Sequence, residues 1–199
     1  MNLVPLKSRD DAWDVFTEFT QNESLVKHGL AVETIMQSYA RKFGTDADIW
    51  GMAGMLHDFD YERYPDVNEH AIVGGRVLTE RGYPEEVVYA VTAHNGASGL
   101  PRVHLLDKVL FAVDELSGLI TATALVRPTK SIYEVDAAAV RKKMKDKAFA
   151  RNVSREDILS GVRDLEVDLE EHIAFVIRAM QDAAPILGLQ GTGERGATG

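Results

Sequence analysis

Apolar residues recur every three or four positions along nearly the whole chain. Trp13, Phe16 and Phe19 form one such stripe, Leu25, Val32, Ile35, Met36 and Tyr39 a second, and Ile49, Met52, Ala53 and Leu56 a third. That is the period of an α-helix with one buried face. Asn22 is placed to cap the second helix and Gly44 to stop it. Thr45, with Asp48 three residues on, reads as a capping box for the third. Pro65 argues against a helix through the polar, aromatic stretch from Phe59 to Asn68. Helices are predicted next over Glu69 to Arg81, closed by Gly82, and from about Pro84 to Asn95. A long apolar one follows from Arg102 to about Val126, ended by Pro128. A lysine-rich amphipathic stretch, Val140 to Phe149, leads to Ser154, a second capping-box candidate with Asp157, and two helices to about Ala184. Strict alternation is absent, so the pattern predicts an all-α, single-domain helical bundle over residues 1–187. Its core is expected at 25–125 and its C-terminal helices at 136–184. Residues 188–199 hold five glycines and almost no apolar anchor, which predicts a frayed, flexible tail.

Composition narrows the chemistry. A chain of 199 residues, 45% of them hydrophobic, buries roughly 70% of its unfolded surface and needs no covalent staple. The absence of cysteine excludes disulfides, thiolate-held zinc or iron–sulfur clusters, and a cysteine nucleophile. The N-terminal residues lack the basic-then-apolar pattern of a signal peptide, and no stretch approaches the ~20 apolar residues of a membrane span. With 22 basic against 31 acidic residues, the net charge of −9 argues against non-specific binding to nucleic acid or anionic membrane. The expectation is a cytoplasmic protein, a homodimer remaining open, whose reactive stock is carboxylates and six histidines.

The informative constellation lies between residues 28 and 114. His28 sits on the apolar stripe of its helix, with Leu25, Val32 and Ile35 as its neighbours. His57 and Asp58 are adjacent where the next helix gives way to the polar loop. Asp114 interrupts an apolar run from Val109 to Leu116. A buried carboxylate must be paired, hydrogen-bonded or metal-bound. Each residue alone has an ordinary structural explanation: a satisfied core histidine, a helix-end turn aspartate, an acid paired with lysine. Together, neutral imidazoles and carboxylates form a ligand set for a hard-to-borderline divalent cation.

In order and context these residues resemble the HD-domain superfamily of metal-dependent phosphohydrolases. Its signature is a histidine, a His-Asp doublet at a helix end, and a distant aspartate in a later helix. Here His28, His57-Asp58 and Asp114 fill those places, within Gly-Met-Leu-His57-Asp58-Phe and Ala112-Val113-Asp114-Glu115-Leu116. The resemblance covers roughly residues 25 to 125. His70-Ala-Ile-Val-Gly-Gly and His94 resemble further elements of superfamily members with two metals. The resemblance therefore implies His28, His57, Asp58, His70, His94 and Asp114 as ligands for one or two divalent ions, with Mn, Fe, Co, Ni, Mg or Zn all compatible. Three positions depart from the pattern. Ala71 stands in place of proline, and Asn95 and Asp60 stand where cyclic-dinucleotide phosphodiesterases carry a histidine and a lysine.

Asp58 is assigned to the catalytic centre, and Asp60 and Glu62 are candidates for orienting ligands or protonating a leaving group. Exposed loop acids are the plain alternative for both. Arg127 and Lys130, just beyond the Asp114 helix, are candidates for gripping substrate phosphate. Lys142, Lys143, Lys145 and Lys147 read as a solvated face. His104 is expected to be a surface or helix-capping residue and His172 to be structural. Gly51, Gly54, Gly74 and Gly75 are read as close helix approach, because no strand precedes them as a phosphate cradle requires. The leading expectation is a hydrolase of a small phosphorylated metabolite. A di-iron oxygenase of the same superfamily and a non-catalytic, metal-clipped binding module are the alternatives.

Overall fold

A computed structural model describes residues 7–192, and among them the only regular elements are helices and one isolated β-bridge. α1 (Arg9–Phe19) opens on Ser8, whose hydroxyl accepts from the Asp11 amide while the Asp11 carboxylate accepts in return. α2 (Glu23–Phe43) is capped by Asn22 and stopped by Gly44 at φ 69°, a left-handed turn that glycine adopts at no steric cost. α3 (Ala47–Leu56) starts one residue later than the capping-box reading implies. Asp46, not Thr45, accepts from the Asp48 and Ile49 amides. α4 (Ile72–Glu80) is also shorter than expected, because Glu69 to Ala71 are spent in a turn.

α5 (Glu85–His94) and α6 (Leu105–Leu125) follow the predicted pattern, and His104 sits at the N-cap of α6 with its amide bonded to Asp107. α7 (Ala137–Lys145) covers the lysine-rich stretch, α8 (Arg155–Leu165) is capped by Ser154 as expected, and α9 (Leu169–Asp182) and α10 (Ala184–Leu187) complete the set. α2 packs along α3, and α6 runs through the middle against α2, α5 and α8. The close approaches are made at glycines. A Cβ on Gly54 would lie 2.8 Å from the Val32 carbonyl of α2, and one on Gly161 would lie 2.5 Å from Cα of Ala112 in α6. The core between these helices holds Phe16, Ile35, Met36, Tyr39, Met55, Leu56, Leu110, Leu116 and Ile120, all essentially out of water.

The expected flexible tail needs correction in its first part. Leu189 is buried, its carbonyl accepts from Ile132 at 2.8 Å, Gln190 pairs with Ser131, and the Thr192 amide bonds Thr129 at 2.8 Å. One apolar side chain between two glycines suffices to dock this strand-like segment on the loop after α6. Residues 193–199 lie outside the described residues.

His172 has the structural role expected of it. Its Nε2–H donates to the Ala112 carbonyl of α6 at 3.0 Å, so Nδ1 must accept, and the Tyr39 hydroxyl of α2 donates to it at 2.6 Å. The neutral ring thus ties α9 to α2 and α6, and burial holds its pKa below the ordinary value.

Candidate metal centre

Five separate elements each bring a ligand-type side chain to one point. His28 comes from the first third of α2, His57 and Asp58 from the end of α3, His70 from the turn before α4, His94 from the last residue of α5 and Asp114 from the middle of α6. The Asp58 carboxylate lies at the centre. Its Oδ2 faces His28 Nε2 at 3.6 Å and His57 Nε2 at 3.5 Å, while Oδ1 faces His70 Nε2 at 3.0 Å and His94 Nε2 at 3.3 Å. Asp114 Oδ1 completes the first group, 3.0 Å from His28 Nε2 and 3.3 Å from His57 Nε2. Two ligand groups result, His28–His57–Asp58–Asp114 and Asp58–His70–His94, sharing Asp58.

The outer nitrogen of every ring decides what the inner nitrogen can be. His57 Nδ1–H donates to the Gly54 carbonyl at 2.8 Å, and His94 Nδ1–H to the Val91 carbonyl. His70 Nδ1–H donates to Asp60 Oδ1 at 2.8 Å. The Ser117 hydroxyl already donates to the Asp114 carbonyl at 2.8 Å, so it accepts from His28 Nδ1–H at 3.3 Å. With Nδ1 carrying the proton, each neutral ring turns an Nε2 lone pair inward. His28 and His57 then face lone pair to lone pair at 3.1 Å, and His70 and His94 at 3.3 Å. Such contacts are repulsive unless positive charge lies between them. Ligands about 2.1 Å from one ion stand about 3.0 Å apart in an octahedron and about 3.4 Å apart in a tetrahedron, so these separations fit a divalent cation on either side of Asp58.

The electrostatics agree. Burial alone would push the His57 imidazole down, but Asp58 and Asp114 outweigh it and hold its pKa well above the ordinary value. Burial likewise opposes His70, yet Asp58 and Asp60 lift it to about 9. Burial would raise both acids, but the neighbouring imidazoles hold Asp58 and Asp114 below the usual carboxylate range. Without a metal, protons supply the positive charge that the carboxylates demand, and binding a cation must release them.

Asp60 is completely buried and turned away from the centre. Besides orienting His70 it accepts from the Ala71 amide at 3.0 Å and the Gly74 amide at 2.8 Å, so it also caps α4. This gives a physical reason for the missing proline. Ala71 sits at φ 63° and donates its N–H, and a proline ring can do neither. Asn95 lies close by and donates to the carbonyls of Val67 and His70 at 2.7 and 2.8 Å, fixing the turn that carries His70.

Three sequence-predicted site residues are not brought here. Glu62 points away from the centre; its Oε2 accepts from the Gln21 and Asn22 amides at 2.8 and 2.9 Å, bracing the start of α2. Arg127 lies two residues beyond the end of α6, whose run from Asp114 to Leu125 already spans about 16 Å along the helix axis. It lines a separate pocket with Lys142 and Lys143, and Lys130 lies beyond it in the turn after α6. The cations that do line the cavity over the metal centre are Arg102 and Arg163. Sequence reasoning missed both, since neither belongs to a motif.

That cavity has a volume of about 800 Å³ and is walled by Tyr61, Asn95, Phe111, Glu115 and the inner face of α8. Burial first, and the neighbouring charge of Asp114, push the Glu115 carboxyl up to about 7.

Comparison with known proteins agrees with this architecture. The HD domain family matches residues 25–119, the segment that carries all six ligand-type residues. That segment, just under half of the chain, is an HD domain. Ribonuclease Y of Desulfotalea psychrophila is 29% identical over 144 residues, 70% of this chain and 27% of the ribonuclease. Ribonuclease Y of Rubrobacter xylanophilus is 28% identical over 155 residues, 73% of this chain and 29% of that protein. An uncharacterised protein of Methanocaldococcus jannaschii is 30% identical over 81 residues, 38% of this chain and 47% of the relative. The chain thus spans less than a third of the two ribonucleases. No solved structure matches it significantly. Among the described residues, no helix is long and apolar enough to cross a membrane.

Proposed function

We propose that this protein is a metal-dependent phosphohydrolase that cleaves a small phosphorylated metabolite, a phosphomonoester or nucleotide, with two divalent ions held through Asp58. The observation that carries this reading is the set of four imidazoles, each tied at Nδ1 and aimed with Nε2 at one side or the other of a single carboxylate. Divalent ions bound there lower the pKa of water toward 7 and neutralise charge on a phosphoryl oxygen. The residues do the rest. Gly54, Val91, Asp60 and Ser117 fix the four rings, so little reorganisation is needed when a substrate arrives. Tyr61, edge-on to His70 at 5.1 Å, and Phe111 supply apolar walls for the group that carries the phosphate.

A small substrate is favoured over a long polyanion by charge. The chain is at −9, and Glu156 and Asp157 stand on the cavity wall, whereas backbone tracking along nucleic acid needs a basic groove. The similarity to ribonuclease Y supports a second reading, cleavage of short RNA. The carboxylate shared by two ligand groups is also compatible with a di-iron oxygenase, for which iron retained under anaerobic purification is the expected sign. The deciding experiment is an assay of metal-loaded protein on phosphomonoesters, nucleotides and short oligoribonucleotides, with and without chelator. Chelator-sensitive release of phosphate from small esters is expected. Inertness toward every ester, with metal shown to be bound, overturns the proposal.

A further inference from the structure

The wall of the cavity opposite the ligands is built by α8, beyond the segment that the HD family matches. Its position is set by Gly161, which seats the helix directly on Ala112, two residues before Asp114. Two features of this wall have no structural explanation in the metal centre. Arg102 lies over the Phe111 ring, its guanidinium carbon 3.6 Å from the centroid, and Nε and Nη2 donate to Asp164 Oδ2 at 3.3 and 3.0 Å. The ring contact and the pairing fix the group while leaving three of its five N–H donors free. Beside Asp164 on α8, Arg163 also lines the cavity, and among the described residues it forms no ion pair.

We propose that Arg102 and Arg163 form a second-anion subsite, so that the substrate is a phosphoester bearing a further anionic group, phosphate or carboxylate, at the end remote from the metals. This rests on the hydrolase reading above and names its substrate class. The reacting phosphoryl group already finds its counter-charge at the metals, and the planar, preset guanidinium of Arg102 matches an oxyanion two donors at a time. Asp164 is a positioning residue: it holds Arg102 against Phe111. The α8 acids Glu156 and Asp157 lie in the first turn of the helix, and Arg163 and Asp164 lie in its last. The anion-binding end of the wall is thereby separated from the acidic end by about two turns, or 10 Å.

The test compares a nucleoside 5′-monophosphate, the matching 3′,5′-bisphosphate and a phosphorylated hydroxy acid, on metal-loaded wild type, R102Q, R163Q, R163K and D164N. Each glutamine variant is expected to raise KM roughly tenfold for whichever second anion the subsite takes, with kcat held within about twofold, the loss of one charge-assisted contact. R163K retains most of the affinity, and D164N shows a smaller rise confined to the same substrate. The monophosphate should be insensitive to all four. Equal losses on all substrates would mean that the arginines grip the reacting phosphoryl group, and no change on any would mean that they only hold α8; either overturns the subsite. Should wild type turn over no ester, the hydrolase reading fails. Calorimetric binding of the bisphosphate and the hydroxy-acid ester to wild type and R163Q then judges the subsite alone: a roughly tenfold weaker Kd in R163Q for either supports it, and equal or undetectable binding of both overturns it.

Discussion

At the scale of single residues, identity matters less than where the second polar atom of a side chain is spent. Asp60 and Glu62 are two loop acids two positions apart, indistinguishable by composition. Asp60 ends up buried under the His70 ring N–H and two backbone amides, and Glu62 braces the entry to α2. Their variants should therefore separate. D60N replaces an acceptor of three donors by a group with one acceptor oxygen. It should weaken metal binding on the His70–His94 side by about 10- to 100-fold, checked by competitive metal titration. E62Q should leave metal binding unchanged and slightly lower the melting temperature, read by calorimetry. Loss of metal from E62Q, or its full retention by D60N, would contradict these assignments. The sequence made His28, His57, Asp58 and Asp114 legible, because imidazole and carboxylate on an apolar stripe, at a helix end and in an apolar run are chemically out of place. His70 and His94 were legible only through the family resemblance. The sequence could not tell Asp60 from Glu62, since that choice depends on which way a turn of a few residues points.

Among elements, the informative joints are those that fix α6, the helix carrying Asp114. Gly161 permits α8 to touch it, and G161A would put a methyl group into backbone of α6. Overpacking of this kind costs about 1–3 kcal/mol, so thermal unfolding should begin several degrees lower. An unchanged melting temperature would show that α8 shifts freely. His172 is the other joint. Y39F removes the hydroxyl that donates to its Nδ1 and should cost about 1–3 kcal/mol. Since burial lowers the folded-state pKa of His172, its contribution is complete above the ordinary value of 6.5 and is lost as pH falls below it toward the folded value. In urea titrations, wild type should lose stability relative to H172Q on going below that pH, and parallel curves would contradict it. Helix spans were readable from periodicity because each buries one stripe. The placements of Arg127 and Lys130 were not, because α6 continues unbroken past Asp114. Nearness in sequence then becomes distance along an axis.

For the whole molecule, charge and metal are linked. A chain at −9 gathers two carboxylates and four imidazoles in one place, where protons supply the positive charge in the apo protein and a bound cation must displace them. A divalent ion present at a hundredfold excess over Kd should stabilise the fold by about 2.7 kcal/mol per independent site. Scanning calorimetry should show a rise of several degrees that a chelator reverses, and a melting temperature indifferent to metal would count against a built site. The all-α architecture was legible from one end to the other. The docking of Leu189 was not, because a single buried leucine among glycines leaves no periodic signal.

Elemental analysis of untagged protein loaded with Mn²⁺ and freed of excess addresses the shared-carboxylate centre most directly. The geometry predicts two ions per chain in wild type and one in both H94A and D114A, with the helical signal intact. Wild type that is fully folded yet retains one ion or none would contradict the account.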